Sequence, residues 1–576
     1  MKSTYDARLH LREVLLSHKD KVLLRIAVSP RLDQPVELTG AAILERAEQL
    51  TSQHAIPGRS GVVLLLLPHS PELFLLQLGL VLKGYVPAVI AWPTSRIDPE
   101  KYQRNLLHQL RNLPADQLIT LPRLAQNLSA GLPYRVTACA SENAELYERL
   151  FPVAPVSESL QAEVKPASST RPSPGTLFLQ FSGGTTGAQK AIVVTEEMLR
   201  SQLSLLADCL QLSSEDSVVS WLPMYHDMGL IACLWFPLWH GVPSLHVGAN
   251  DWIVDPELLI KYMSQFRGTL CWLPNFSFSY LAQRREQMNG PYDLSRVRAW
   301  INCSEPVRLR SMMSFAESFA DWGVRPESLL ASYALAENVF AVTQSELGKI
   351  PSTVARSMVH YGSRNYNDLA FDLIDDVFVS SGKPLADTEI RIVDGSGALC
   401  PDAKPGEIQI RTACLFAGYW GSEGFKTHSL SRDRFHATGD YGFTKDGELF
   451  VIGRIKDIVI IGGQNVFPED VEAIVNSMDG IHPGRVVAFG IEDQEYGTER
   501  LVVIAEVRGE YNIEAAVELE SELRKLVLAA IGIAPRYVAV VPQRWIVKST
   551  AGKISRRDTR ERFLQERLSK FQPEVV

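Results

Sequence analysis

Between residues 41 and 91 helical and strand-like stretches take turns, and this alternation limits the fold more than any other feature of the sequence. AAILERAEQL (41–50) reads as a helix, whereas GVVLLLL (61–67) and YVPAVIA (85–91) are short β-rich runs. Strands separated by helices pair in parallel, because the crossover that returns the chain to the same edge of a sheet is usually a helix. An α/β chain is therefore expected, with a large N-terminal region of parallel sheets and flanking helices. The most apolar stretch, LFLLQLGLVLKGYVPAVIAW (73–92), is broken by Lys83, Gly84 and Pro87. It reads as a buried helix followed by a strand, and no transmembrane segment is expected.

At 576 residues the chain is too long for one ordinary core. PASSTRPSPG (166–175) reads as a surface connection. Beyond residue 378 the texture changes to strands and tight turns, as in EIRIVDGSGALC, GEIQIR and DGELFVIGR. A β-rich subdomain over about 379–452 is expected to complete a large domain, 1–452. The charged run GRIKD (453–457) suits an exposed hinge, and 458–576 has the size of a small α+β domain.

A net charge of −8 argues against a nucleic-acid binder, since neutralising phosphates needs a basic surface. The first residues, MKSTYDARLHLREVLLSHKDK, offer no continuous apolar core of a signal peptide. The seven cysteines form no C-x-x-C pair, which fits a reducing cytoplasm, and the twelve histidines lack metal-ligand spacing.

LQFSGGTTGAQKAIVVT (179–195) sets three glycines and several hydroxyls between two apolar runs and closes with Lys190. The nucleoside-triphosphatase P-loop template fails here, because the glycine spacing is wrong and Lys190 follows Gln189. Its physics survives: glycines let backbone N–H groups approach phosphate oxygens, and Thr185 and Thr186 add donors. A plain β-hairpin turn is the competing reading of the loop taken alone.

That loop is the first of an ordered series. WLPMYHDMGL (221–230), SYALAEN (332–338), ATGDYG (437–442), GRIKDIVIIGGQNVFPEDVE (453–472) and STAGKISRR (549–557) follow it. The series resembles the adenylate-forming superfamily of acyl-CoA synthetases, luciferases and peptide-synthetase adenylation domains, over about residues 40 to 560. SWLPMYHDMGLIACLWFPL, LPNFSFSY, INCSEPV and VSSGKPL are most similar to the fatty acyl-AMP ligase branch, as is an extra stretch between Thr343 and Val379.

The resemblance implies ATP-dependent adenylation of a carboxylic acid, release of pyrophosphate, and transfer of the acyl group to a thiol, with ATP and Mg²⁺ as cofactors. Attack of a carboxylate on the α-phosphate builds charge on phosphoryl oxygens, so cations and donors must be in place to hold it. Thr185, Thr186 and Lys190 are implied to grip the β and γ phosphates. Glu337 is implied as the Mg²⁺ ligand, a hard cation wanting carboxylate and phosphate oxygens together. A glutamate in the first turn of a helix is the alternative reading of that residue.

By the same matching, Tyr333 stacks on adenine, Asp440 accepts from the ribose hydroxyls, Arg454 assists there, and Ser304 and Glu305 touch the nucleotide. Lys553 is implied to reach the α-phosphate and the substrate carboxylate in the first step. Lys456 marks the pivot. Two departures stand out: Gly183 and Gln189 replace the serine and proline usual in the family loop, and Ala334 replaces a glycine.

The acyl pocket of the branch runs past segments where this chain has Trp272, Cys303 and Ala334, beside His226 and Asp227. If Trp272 lines the pocket, a long alkyl chain has no room and the substrate is short. If it only points into the core, nothing follows. Asp227 matches the aspartate that holds the α-ammonium group in amino-acid adenylation domains, although His-Asp also occurs in fatty-acid members. Length and stand-alone layout further resemble the glycine-activating ligases that feed lipid A glycinylation. No carrier sequence follows Val576, so the expected acceptor is the phosphopantetheine thiol of a discrete carrier protein. Lys548, Lys553, Arg556, Arg557, Arg560 and Arg562 offer a basic surface for it, or simply a solvated basic helix. A long-chain fatty acyl-AMP ligase and a catalytically silent binding module are the competing readings.

Overall fold

The computed structural model describes residues 6–55, 61–93, 99–129, 132, 134–141, 144–145, 148, 172–181, 190–359, 377–422, 424–427, 433–462, 464–493, 498–548 and 553–570. Its centre is two large sheets. One has eight strands, with Val62–Leu66, Val86–Val89, Gln117–Thr120, Arg135–Ala138 and Thr176–Phe181 in a parallel block. The other has nine, with Val22–Ala27, Ser244–Val247, Val218–Ser220, Leu270–Leu273, Ala299–Asn302 and Leu329–Ala334 all parallel. The fold is α/β.

The local signals explain the elements. Helix Gly40–His54 starts where the Thr39 hydroxyl accepts from Ala42 N–H, relieving one of the donors a helix leaves open at its start. The apolar stretch from 73 divides into helix Pro71–Leu82 and strand Val86–Val89, every strand residue buried. Gly84 makes the break, with a φ of 84° that a side chain would resist. Among the described residues no helix is long and apolar enough to cross a membrane.

A four-stranded antiparallel sheet follows, formed by Glu389–Val393, Gly406–Arg411, His436–Lys445 and Glu448–Arg454. After the short turn Ile455–Asp457 comes a unit with its own core. Its strands Ile481–Asp493, Thr498–Val507 and Tyr537–Val541 carry helices Pro468–Asn476 and Ile513–Ile531, with Val471, Leu501 and Leu523 buried between them. Asn512 caps the longer helix and Gly532, at φ 70°, ends it.

Among the described residues, specific contacts join this unit to the rest of the chain. Asp470 pairs with Arg356 at 3.1 Å, both side chains 4% exposed, and with Arg308 at 3.5 Å. Phe467 joins Phe378, Phe443, Phe450 and Ile452 in a small apolar cluster. Of the extra stretch between Thr343 and Val379, residues 360–376 lie outside those described. Its flanks Thr353–Ala355 and Val377–Val379 pair antiparallel.

Three arginines of the basic surface expected near the C-terminus are paired with carboxylates. Arg556 is enclosed by Asp457 at 3.0 Å, Glu469 at 3.3 Å and Glu472 at 2.8 Å, and also donates to Ala488 O. Arg557 and Arg562 each pair with a glutamate one turn on, Glu561 and Glu566. A helix with acidic residues four positions beyond its arginines makes these pairs locally, at the expense of free positive charge.

Candidate active site

Strand pairing builds the first part of the site. Asp440 and Arg454 face each other across two antiparallel strands, and Arg454 Nε stands 3.1 Å from Asp440 Oδ1. The Tyr333 hydroxyl donates to Asp440 Oδ2 at 2.6 Å. Burial raises the Asp440 carboxyl, opposed by the Arg454 charge and the Tyr333 hydrogen bond. Each carboxylate oxygen keeps a lone pair beyond its present partner, so the group can still accept from hydroxyls of a ligand. Lys456 follows in the turn after Arg454, its pKa lowered by burial and by that neighbouring charge.

Glu337 lies in the short turn Ala336–Asn338, which is held from three sides. Gln180 donates to Ala336 O at 2.7 Å and Val339 O at 3.0 Å, Phe416 N–H donates to Glu337 O at 2.7 Å, and Thr412 donates to Asn338 Oδ1 at 3.0 Å. Val339 sits at φ 62°, a conformation that a β-branched residue adopts only when its surroundings force it. The Glu337 carboxylate is half-buried and accepts a long hydrogen bond of 3.3 Å from Tyr419. Lys190 Nζ lies 4.6 Å from the centre of the same tyrosine ring.

The second part gathers around Lys553. Its Nζ donates to Ser304 O at 2.9 Å, bringing the C-terminal unit against the end of strand Ala299–Asn302. Ser304 has its backbone at φ 74°, a conformation uncommon for a residue other than glycine. His226 and Asp227 feel the Lys553 charge. Burial, with that charge second, lowers His226 to about 3, leaving a neutral imidazole whose Nε2 is buried without a partner among the described residues. Burial raises Asp227 to about 6, Lys553 lowering it and Glu337 raising it. Asp227 Oδ1 accepts from Met228 N–H at 2.8 Å and opens the π-helix Met228–Trp235, a geometry that recurs at functional positions.

Register decides which pocket candidates share a surface. Trp272 pairs with Ile301, and Ile301 with Leu330, in parallel strands. Partners in register point to one side and side chains alternate, so Trp272, Cys303 and Ala334 belong to the same face of the nine-stranded sheet. The segment after Asp227 covers that face: Phe236 meets the Trp272 ring edge-on at 5.9 Å, and Cys233 reaches Ser220 beneath it. Trp272 and Cys303 are fully buried, and burial, with the Asp227 charge second, pushes the Cys303 thiol up to about 12, so it stays protonated.

The remaining expected residues divide. Thr185 and Thr186 lie outside the described residues. The Glu305 carboxylate accepts from Phe276 N–H at 3.0 Å, which ties it to the start of helix Asn275–Ala282. The structure brings together residues that sequence reasoning did not single out: Tyr419, Gln180 and the Arg308–Asp470–Arg356 group. Tyr419 gives no sequence signal beyond an aromatic between glycines in AGYWG, which reads as strand.

Residues 18–420 match the family described as AMP-binding enzyme. A medium-chain-fatty-acid–[acyl-carrier-protein] ligase of Moorena producens is 28% identical over 412 residues, covering 69% of this chain and 69% of that protein. A long-chain-fatty-acid–AMP ligase of Mycobacterium marinum is 30% identical over 440 residues, covering 68% of this chain and 69% of its own length. A solved structure from a study of fatty acyl-adenylate ligases of E. coli and L. pneumophila superposes with a TM-score of 0.78 at 22% identity. It covers 98% of this chain and 99% of that one.

Proposed function

The chain belongs to the AMP-binding enzyme family and is an AMP-forming ligase, and from that premise we propose that it adenylates a very small carboxylic acid, best matched by glycine or another small amino acid. The acyl group then passes to the phosphopantetheine thiol of a discrete carrier protein. Carrier loading has support in the Moorena producens relative, whose name specifies an acyl-carrier-protein ligase. Lipid A glycinylation is the destination to which the resemblance points.

The observation that carries the small substrate is the buried indole of Trp272 on the sheet face shared with Cys303 and Ala334, under the segment that Asp227 opens. A closely packed interior leaves no room for a long alkyl chain beside a filled ring. Asp227 offers a carboxylate to an ammonium group, and a charge-assisted pair in such a site is strong and directional.

In the first step a carboxylate oxygen of the substrate attacks the α-phosphate and pyrophosphate departs. Lys553 holds the negative charge that develops on the phosphoryl oxygens, and the neutral His226 can donate a hydrogen bond to the reacting carboxyl group. Asp440 takes the ribose hydroxyls, Arg454 supports it, and the Tyr333 ring flanks the base. Lys190, with Thr185 and Thr186, receives the leaving pyrophosphate.

Glu337 fits a Mg²⁺ site, because its half-buried carboxylate, with one long hydrogen bond among the described residues, would offer oxygen to a hard cation that favours carboxylate and phosphate oxygens together. When bound, that ion neutralises phosphate charge. The thiol step follows after the C-terminal unit turns about 453–457, taking Lys553 out of the site.

A long-chain fatty acid is the second reading, favoured by what the Mycobacterium marinum relative is named to act on. Pyrophosphate exchange into ATP decides between them, measured with glycine, alanine, β-alanine, acetate and dodecanoate. Exchange with glycine and none with dodecanoate is expected. Preference for dodecanoate over every amino acid overturns the small-substrate reading and leaves the ligase assignment standing.

A further inference from the structure

Tyr419 has no part in the reaction as set out above, yet it touches both groups assigned to the phosphate end of the site. It lies on strand Gly418–Gly421, which pairs antiparallel with Ala191–Thr195 so that Tyr419 faces Ile192. Side chains two apart on a strand share a face, so Lys190, two residues before Ile192, falls diagonally across from Tyr419. The lysine ammonium takes up this place, 4.6 Å from the ring centre, within the range where a cation is attracted to an aromatic face. The hydroxyl of the same ring donates to Glu337 Oε1 at 3.3 Å.

Both the strand and the ring are anchored. Trp420 Nε1, from the next residue of the strand, donates to Pro114 O at 2.8 Å, and Phe416 packs on the Tyr419 ring with ring centres 4.7 Å apart. Phe416 N–H also donates to Glu337 O, so the strand and the Glu337 turn are joined by backbone as well as by the phenol. A flexible lysine and a glutamate on a strained turn thus share one rigid reference.

We propose that Tyr419 is a positioning residue that sets Lys190 and Glu337 relative to each other, its ring holding the ammonium and its hydroxyl holding the carboxylate. The inference rests on the reading of these two residues as phosphate and Mg²⁺ groups. The two halves of the phenol separate by substitution. Tyr419→Phe keeps the platform under Lys190 and removes the hydrogen bond to Glu337, whereas Tyr419→Leu removes both.

The test measures ATP binding by calorimetry with EDTA and with Mg²⁺, beside pyrophosphate exchange as Mg²⁺ is varied. For Tyr419→Phe, binding in EDTA stays at the wild-type value, while the tightening produced by Mg²⁺ shrinks roughly two- to tenfold and half-saturating Mg²⁺ rises to match. For Tyr419→Leu, binding in EDTA also weakens, by about two- to tenfold. Trp420→Phe serves as the control for strand anchoring and leaves the Mg²⁺ response unchanged.

Equal loss with and without Mg²⁺ in both tyrosine variants, or a Mg²⁺ shift reproduced by Trp420→Phe, overturns the proposal in favour of simple strand packing. A wild-type Mg²⁺ response in Tyr419→Phe overturns it as well. Wild-type protein that binds no ATP refutes the underlying reading of the site and is seen before any variant is compared.

Discussion

Trp272→Ala tests the substrate argument most directly, because a single ring carries it. The side chain is fully buried and meets Phe236 edge-on. Truncating a buried tryptophan to alanine costs about 3–5 kcal/mol, part of it from the cavity left behind. Each methylene moved from water into such a cavity returns about 0.8 kcal/mol. A tail of roughly four to six methylenes therefore offsets the loss. In pyrophosphate exchange across straight-chain acids of increasing length, kcat/KM of the variant should rise about fourfold per methylene up to that length and then level off, while wild type shows no such rise. Thermal melts should show the longer acids restoring part of the stability that Trp272→Ala loses. Trp272→Phe, a smaller cut, keeps the test usable if the alanine variant folds poorly and should move the optimum by fewer carbons. A folded variant with wild-type length preference refutes the reasoning, because the indole would then be core packing that the substrate never meets.

Lys553→Ala should reduce adenylate formation by roughly 10²–10³-fold while leaving transfer from a supplied acyl-adenylate nearly intact; equal loss in both assays refutes the assignment. Asp227 titrates near 6, above the ordinary carboxylate value, so its anion is lost as pH falls through that point. Amino-acid kcat/KM should then fall below about pH 6 and acetate kcat/KM should not, and Asp227→Asn should abolish the difference; parallel profiles for the two acids count against an ammonium contact. Asp470→Asn leaves Arg308 and Arg356 without their carboxylate, a loss of about 3–5 kcal/mol for a buried pair when one partner is removed. That loss falls on the closed arrangement, so protease cutting at 453–457 should accelerate, and an unchanged cutting rate refutes a latch at this position.

The parts of the site that sequence reveals are those where chemistry demands a particular residue type. Lys553, Glu337 and Asp440 stand in the motifs that carry the family resemblance, where phosphate, metal and ribose are the partners proposed for them, and the parallel strands announce themselves as short apolar runs between helices. What stays hidden depends on which residues fold together across long separations. Tyr419 becomes notable only because strand 418–421 pairs beside Lys190, and Asp470 only because Arg308 and Arg356 converge on it. Arg556 fails in the opposite sense: among arginines and lysines it reads as surface charge, whereas three carboxylates from other elements surround it. For Trp272 composition is silent, and only the register through Ile301 and Leu330 tells which face it shares.

The proposed turn of the C-terminal unit asks what kind of contact can hold it without trapping it. Lys553 on Ser304 O and Asp470 between two arginines are polar contacts, and on opening each group regains the water it gave up on closing. The hydration recovered offsets much of the attraction lost, so such contacts define an orientation at small net cost. Phe467 behaves differently, because its ring lies 1% exposed against Phe443, Phe450 and Phe378, and leaving that cluster for water costs about 1.5–3 kcal/mol. That range corresponds to roughly a 10- to 150-fold bias toward the closed arrangement. The ionic contacts therefore orient Lys553, while Phe467 adds an apolar bias against opening. On the proposed mechanism, ATP and acid meet the lysine already in place, and the unit is released once the adenylate no longer needs it.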